Sequence, residues 1–151
     1  MKNLSFFLLL FLGCNANVFA QKPKYNKTLA DSLGADNYGM KSYVLVLLKT
    51  GTNKLENKAK VDSLFRGHME NIGRLAKEGK LVVAGPLKKN EKSYRGIFIL
   101  NVKTVEEAQV LLQTDPAVKE KLLEAECLGW YGSAALPMYL PFHEQVEKNR
   151  P

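Results

Sequence analysis

The sequence has little of several residue types on which many protein functions depend. It contains two cysteines, two histidines and one tryptophan in 151 residues, with no nucleophile motif, phosphate-binding loop or metal-ligand spacing. We therefore expect neither a metal nor another cofactor. Its most apolar run, from Leu4 to Leu12, is too short to cross a bilayer as a helix. This shortness argues against stable insertion into a membrane.

Residues 1–20 have the features of a secretory signal peptide. A basic start and an apolar run precede Val18-Phe19-Ala20, which places small residues three and one positions before Gln21. We predict an exported protein, periplasmic or extracellular, that begins at Gln21. The alternative is a lipoprotein anchored through Cys14. Cleavage after Ala20 would leave Cys127 without an intrachain disulfide partner, and we interpret it as a buried small hydrophobe.

The chain is basic, with a formal net charge of +7, and 46% of its residues are hydrophobic. This apolar content favours one globular domain over a disordered chain. The lysines are scattered and are not interleaved with aromatic residues, so we expect no nucleic-acid partner. A basic surface would instead keep the protein soluble, or draw a small anionic substrate toward a cleft.

The periodicity of the chain predicts an α+β domain over residues 41–136, preceded by a flexible segment at 21–40 and followed by a tail at 137–151. The predicted order is strand, helix, two strands, a broken helix and a strand, which is the antiparallel ferredoxin-like βαββαβ arrangement. The predicted strands are 42–48, 80–84, 95–102 and 127–133, and the predicted helices are 60–78, 104–112 and 115–125.

Both alternating faces of the predicted strands are apolar, as in Tyr43/Leu45/Leu47 and Val44/Val46/Leu48. Helices cover only one face of such a sheet, so the other face needs a cover. We expect a second copy to pack sheet to sheet and form a homodimer. The apolar start of the tail, residues 137–143, is expected to dock on the domain or on the dimer partner.

His68 lies on the apolar stripe of the predicted helix, seven residues after Val61. An imidazole can act as a base near neutral pH, and a carboxylate on its far nitrogen fixes the tautomer. We predict Asp115 as that carboxylate, which makes the two residues a candidate catalytic pair. The alternatives are a histidine satisfied at the edge of the core and an aspartate that only caps a helix.

Several segments together resemble the YCII-related (YciI-like) family. They are Arg66–Ala76 around His68, Gly79–Leu87, Arg95–Phe98, Val105–Ala108, Thr114–Val118 and Trp130–Gly132. The resemblance implies a dimeric α+β barrel similar to muconolactone isomerases, with a histidine and an aspartate in a cleft near the dimer interface. These two map onto His68 and Asp115. It also implies lyase or isomerase chemistry on small cyclic compounds, including removal of halide.

Two functions are consistent with the sequence. The first is a cofactor-free lyase or isomerase that moves a proton on a small cyclic or anionic substrate. The second is a non-catalytic module that binds or senses a small molecule in the same cleft, of which haem binding by the lone His68 is one version. Further candidate substrate-binding residues are Arg66, Arg95, Tyr131 and Ser133, whereas we interpret His143 as a surface or packing residue.

Overall fold

The computed structural model describes residues 24–148 and has an α+β fold. Four antiparallel strands form one sheet in the order β2-β3-β1-β4. This arrangement is consistent with the predicted ferredoxin-like fold. The elements are α1 (Lys27–Leu33), β1 (Met40–Thr50), α2 (Lys58–Lys77), β2 (Leu81–Pro86), β3 (Tyr94–Leu100), α3 (Val105–Leu112), α4 (Pro116–Lys119), β4 (Leu123–Ser133), a 3-10 helix (Leu136–Tyr139) and α5 (Leu140–Val146).

The predicted signal peptide and Cys14 lie outside the described residues, and so do residues 149–151 of the tail. Among residues 24–148, none of the helices has the length and hydropathy needed to cross a bilayer.

Strand β1 lies in the interior of the sheet, and its side chains point alternately to the two faces of the sheet. Its residues Val44, Val46 and Leu48 are buried against the helices. Its residues Leu45 and Leu47 point to the opposite face and are half-buried. The apolar character of both faces, which the sequence predicts, is therefore present in the fold, and the helices of this chain cover one face.

Helix α2 begins at the side chain of Asn57, which accepts a hydrogen bond from the N–H of Lys60. It ends before Gly79, whose φ of 66° favours glycine. The apolar stripe of the helix contacts the core through Leu75, Phe65 and Ile72. The predicted helix over 60–78 is confirmed to within two residues at its start and one at its end.

The second half of the domain differs from the prediction in one place. We predicted that the helix after Asp115 would continue to about 125, but it ends at Lys119, and β4 begins at Leu123. Lys121 adopts a φ of 57°, which ends the helix. Strand β1 then pairs with β4 along its whole length, to Thr50 opposite Leu123. The long-range pairing with β1 decides where β4 begins.

Residues 27–33 of the segment predicted to be flexible form helix α1. The side chain of Asn26 caps it by accepting the N–H of Leu29, and Gly34 ends it with a φ of 69°. The helix buries none of its residues, and its apolar pair Leu29 and Leu33 spans only about one turn, which is too short for periodicity to predict a helix. The capping residues Asn26 and Gly34 were the sequence signals from which this helix could have been predicted.

Candidate functional site

The His68 side chain lies on the inner side of α2, where 11% of it remains exposed. The ring stacks on Phe98 of β3, with centroids 5.9 Å apart, and meets the edge of Phe65 at 6.2 Å. Phe65 belongs to the apolar stripe that packs α2 on the sheet, and Phe98 is part of the core that this stripe contacts. The histidine is therefore held in a fixed orientation at the edge of the core.

Asp115 is fully buried. One of its oxygen atoms contacts the start of α4, and the other contacts His68. Its Oδ1 caps α4 by accepting the N–H groups of Ala117 at 2.9 Å and Val118 at 3.4 Å. Its Oδ2 lies 2.6 Å from Nδ1 of His68. The alternative that Asp115 serves only as a helix cap is therefore wrong, because the same carboxylate also contacts the imidazole.

The contact fixes which nitrogen of the ring carries a proton. An ionised carboxylate has no proton to donate, so the facing Nδ1 donates in both the neutral and the charged ring. In the neutral ring the lone pair then resides on Nε2, for which the structure gives no hydrogen-bond partner within residues 24–148. Because His68 borders a cavity, Nε2 is the atom available to a bound molecule.

The cavity beside His68 has a volume of about 480 Å³, within the range of small-molecule sites. Most of its lining is apolar, and four of the lining residues carry polar side chains: His68, Arg95, Tyr139 and His143. The cavity lies between α2, the ends of the strands and the C-terminal segment. The apolar lining residues include Leu48, Phe65, Met69, Ile72, Ala76, Leu81, Phe98, Leu123 and Leu140.

A second hydrogen-bond network joins α2 to the turn that carries Asp115. The buried Asn71 accepts at its Oδ1 from Arg74 at 2.7 Å and from the hydroxyl of Thr114 at 3.0 Å. Arg74 also donates to the hydroxyl oxygen of Thr114 at 2.7 Å. The network fixes the residue directly before Asp115. These residues lie in segments that carry the family resemblance, but no site role was predicted for them; the spacing of Asn71 three positions after His68 was the one available signal.

Gly67 allows α2 to approach α4 closely. A Cβ atom at this position would lie 2.9 Å from Cγ of Pro116, a contact that real Cβ atoms do not make. Glycine inside a helix costs about 1 kcal/mol relative to alanine, so its presence here has a packing reason. The close approach is made beside both members of the His68–Asp115 pair, and it brings the two residues within hydrogen-bond distance.

The other four predicted site residues have different positions. Arg95 borders the cavity. Arg66 does not, because residues two positions apart on a helix point in different directions and Arg66 is exposed. Ser133 and Tyr131 lie near the far end of β4. Tyr131 is eight residues beyond Leu123, which borders the cavity, and this corresponds to about 27 Å of strand.

Tyr131 and Ser133 make other hydrogen bonds. The Tyr131 hydroxyl donates to the carboxylate of Asp36, and this bond lowers the pKa of Asp36 and raises that of the Tyr131 phenol. The Ser133 hydroxyl accepts the N–H of Ala135 at 3.3 Å. Arg66, Tyr131 and Ser133 therefore lie outside the lining of the His68 cavity, and Tyr131 borders a separate hollow of about 450 Å³. That these three residues bind a substrate stays a prediction.

A larger and more open hollow of about 730 Å³ lies between α3 and β4 and includes Cys127. Its lining contains no histidine, whereas the other cavity is bordered by His68 with its buried carboxylate partner, so we favour the His68 cavity as the site. Cys127 is half-buried, and burial raises the pKa of its thiol. This agrees with a packing role rather than a nucleophilic one. No group of three or more potential metal-ligating side chains is found in the part of the chain that the structure describes.

The fold and the site can be compared with known proteins. A search of curated proteins found no match, and neither did a search of solved structures. The family model of the YCII-related domain matches residues 42–127. The match contains most of β1, α2 with His68, the Asp115 turn and the first part of β4. It covers more than half of the chain, and the protein therefore belongs to the YCII-related domain family.

Proposed function

We propose that this protein is a cofactor-free lyase or isomerase that transfers a proton on a small cyclic or anionic compound. His68 acts as the base, and Asp115 positions it. The observation that carries the proposal is the 2.6 Å contact between Nδ1 of His68 and the buried carboxylate of Asp115, on a ring that borders a cavity. A neutral imidazole oriented in this way presents a lone pair to a bound molecule.

The reaction begins when Nε2 of His68 takes a proton from a carbon atom next to a carbonyl group. The electron pair of the broken C–H bond passes into the substrate as an enolate, and the ring becomes an imidazolium that Asp115 stabilises. An isomerase returns the proton from the imidazolium to another carbon. In a lyase the enolate expels a leaving group with its electron pair, and the imidazolium releases its proton to that group or to water. General acid–base catalysis of this kind accelerates the proton-transfer step by a factor of about 10²–10⁴. It is sufficient for a substrate with an already acidic C–H bond.

The lining of the cavity supports a small ring compound as the substrate. Apolar side chains form most of the surface, so they favour an apolar ring over a sugar or a nucleotide. Arg95 is the cation on the lining and would pair with an anionic substituent. The net positive charge of the chain favours the approach of such an anion.

Exchange of hydrogen for deuterium tests this function before the natural substrate is known. The protein is incubated in D₂O with a panel of lactones and cyclic keto acids, and NMR follows the loss of C–H signals. We expect exchange with the wild type and a fall of about 10²-fold or more in His68→Gln. Arg66→Gln is the matched control, since Arg66 is exposed on the same helix, and it should exchange normally.

The same experiment separates the enzyme from a binding module. Saturable binding of ring compounds without exchange, in the wild type as in His68→Gln, would contradict the catalytic proposal. The non-catalytic module that binds or senses a small molecule would then be the better interpretation.

We also propose that the protein forms a homodimer through the outer face of its sheet. Leu45, Ile99, Leu128 and Trp130 belong to this face, and the last two remain 44% and 37% exposed. Because this face is apolar and partly exposed, it supports packing of a second copy of the chain against it. Light scattering should give a dimer for the wild type and a monomer for Leu128→Lys. Val110→Lys, on the exposed side of α3, is the control and should remain dimeric.

Finally, we propose export of the mature chain from Gln21, on the sequence of residues 1–20 alone. Expression with the complete N-terminus, followed by mass determination of the product, tests it. A mass that begins at Gln21 supports free export. A lipid-modified product that begins at Cys14 supports the lipoprotein alternative.

A further inference from the structure

The C-terminal segment Leu136–Val146 forms one wall of the His68 cavity. Tyr139, Leu140 and His143 all border it, and their spacing of three and four residues places them on one side of a helical turn. Phe142 and Val146, from the same segment, are 66% and 79% exposed. The segment therefore has a side that faces the cavity and a side that does not.

A hydrogen bond holds this wall against the sheet. The hydroxyl of Tyr139 donates to the backbone carbonyl of Val82 in the edge strand β2. The carbonyl is available because the pairing of β2 with β3 is irregular between Leu81 and Val83. Burial raises the pKa of the Tyr139 phenol, so the hydroxyl keeps its proton and can donate at neutral pH.

The wall changes the chemistry of the cavity. It adds an aliphatic surface at Leu140 and a second imidazole at His143, beyond the ring of His68 on α2. With Arg95 at the strand end, a bound molecule would contact two side chains that can donate hydrogen bonds to an acidic group. The rest of the lining offers mainly apolar contacts, which suit a ring.

We propose that Leu136–Val146 is the specificity-determining wall of the cavity, and that it selects a small ring compound with one acidic group. The ring lies against Leu140, and the acidic group pairs with His143 and Arg95. The inference rests on the proposed function only in taking this cavity as the ligand site. His143, for which the sequence predicts a surface or packing position, thereby receives a role in the site.

The test uses 4-fluorobenzoate and its neutral counterpart 4-fluorobenzamide as probes, with ¹⁹F NMR as the measure of binding by the full chain. We expect the wild type to bind the carboxylate in preference to the amide. Leu140→Asp should weaken binding of the carboxylate by about tenfold or more, because an apolar contact is lost and a like charge is added. His143→Gln should reduce the preference for the carboxylate by about fivefold.

Phe142→Asp is the matched control, since it places the same charge on the same helix at an exposed position. It should bind within about twofold of the wild type, because a solvent-exposed charge is strongly screened. Melting temperatures of the three variants show whether the fold is retained. Equal weakening in Phe142→Asp and Leu140→Asp would mean that the segment acts only through its own folding, and it would overturn the proposal.

Two other outcomes separate this inference from the proposed function. Wild-type binding by Leu140→Asp and His143→Gln, together with weak binding by His68→Gln, would overturn the role of the C-terminal wall and leave the proposed function intact. Weak binding by Leu140→Asp, with no deuterium exchange on any ring compound, would support the wall and overturn the proposed reaction. Absence of saturable probe binding to the wild type would overturn the assigned ligand class.

Discussion

Replacement of Asp115 by asparagine separates the two roles of one buried carboxylate. Oδ1 caps α4 through the N–H groups of Ala117 and Val118, and Oδ2 contacts Nδ1 of His68 at 2.6 Å. Asparagine caps helices as well as aspartate does. Its amide oxygen should therefore take the place of Oδ1 and leave the NH₂ group facing the imidazole.

This substitution reverses the direction of the hydrogen bond between residue 115 and His68. The NH₂ group donates and has no lone pair to offer, so Nδ1 of the ring must become the acceptor. The proton of the neutral ring then moves to Nε2, the nitrogen that is available to the cavity. The base is lost, and we expect deuterium exchange on ring compounds to fall by about 10²-fold or more.

The expected effect on stability is small for asparagine and larger for alanine. A hydrogen bond to a charged group contributes about 1.5–3 kcal/mol and a neutral one about 0.5–1.5 kcal/mol, so Asp115→Asn should lower the free energy of unfolding by about 1 kcal/mol. Asp115→Ala also loses the cap, which contributes about 1 kcal/mol. Its total loss should therefore be about 3 kcal/mol. Urea denaturation measures both differences.

The tautomer of His68 is read from two-dimensional ¹H–¹⁵N spectra that correlate ring protons with ring nitrogens, and His143→Gln assigns the signals. Asp62→Asn is the control, since Asp62 is an exposed residue of α2 that pairs with Lys58. An unchanged His68 tautomer in Asp115→Asn would refute this reasoning, because it would mean that another group fixes the ring.

Substitution of Gly67 or Asn71 and chemical labelling of Cys127 test the packing around the site. Gly67→Ala should lower the free energy of unfolding by about 1–3 kcal/mol through the clash with Pro116, and about 1 kcal/mol of this loss is offset by the higher helix propensity of alanine. The variant should also populate both neutral tautomers of His68. A single tautomer would contradict the inference that the close approach at Gly67 positions the pair. Asn71→Ala should lower the free energy of unfolding by about 1 kcal/mol in urea denaturation, because the exposed donors Arg74 and Thr114 lose their shared acceptor on α2. A stability equal to wild type would show that the network is dispensable. The Cys127 thiol should react with a disulfide reagent at pH 8 more slowly in the folded protein than in the unfolded protein or in free cysteine, because burial raises its pKa. Equal rates in folded and unfolded protein would contradict this prediction.

Local sequence signals predicted the parts of the site that depend on short-range interactions. The repeat of apolar residues every three or four positions predicted α2 and placed His68 on its inner side, where it lies. The Asp115-Pro116 pair predicted a capped helix start, which is also present. Each of these features involves hydrogen bonds or packing within about one helical turn, so neighbouring residues are sufficient to determine it.

Other features depend on residues far apart in the chain, and only the tertiary structure decided them. The Asp115–His68 contact joins residues 47 positions apart, and the close approach of α2 and α4 at Gly67 makes it possible. The pairing of β4 with β1 moved the start of β4 to Leu123 and left Tyr131 far from the cavity. The docking of Tyr139 on Val82 brought His143 to the cavity wall. The sequence thus determined the order of strands and helices in the domain and which of their faces are apolar, whereas the packing of those elements decided which side chains share a site.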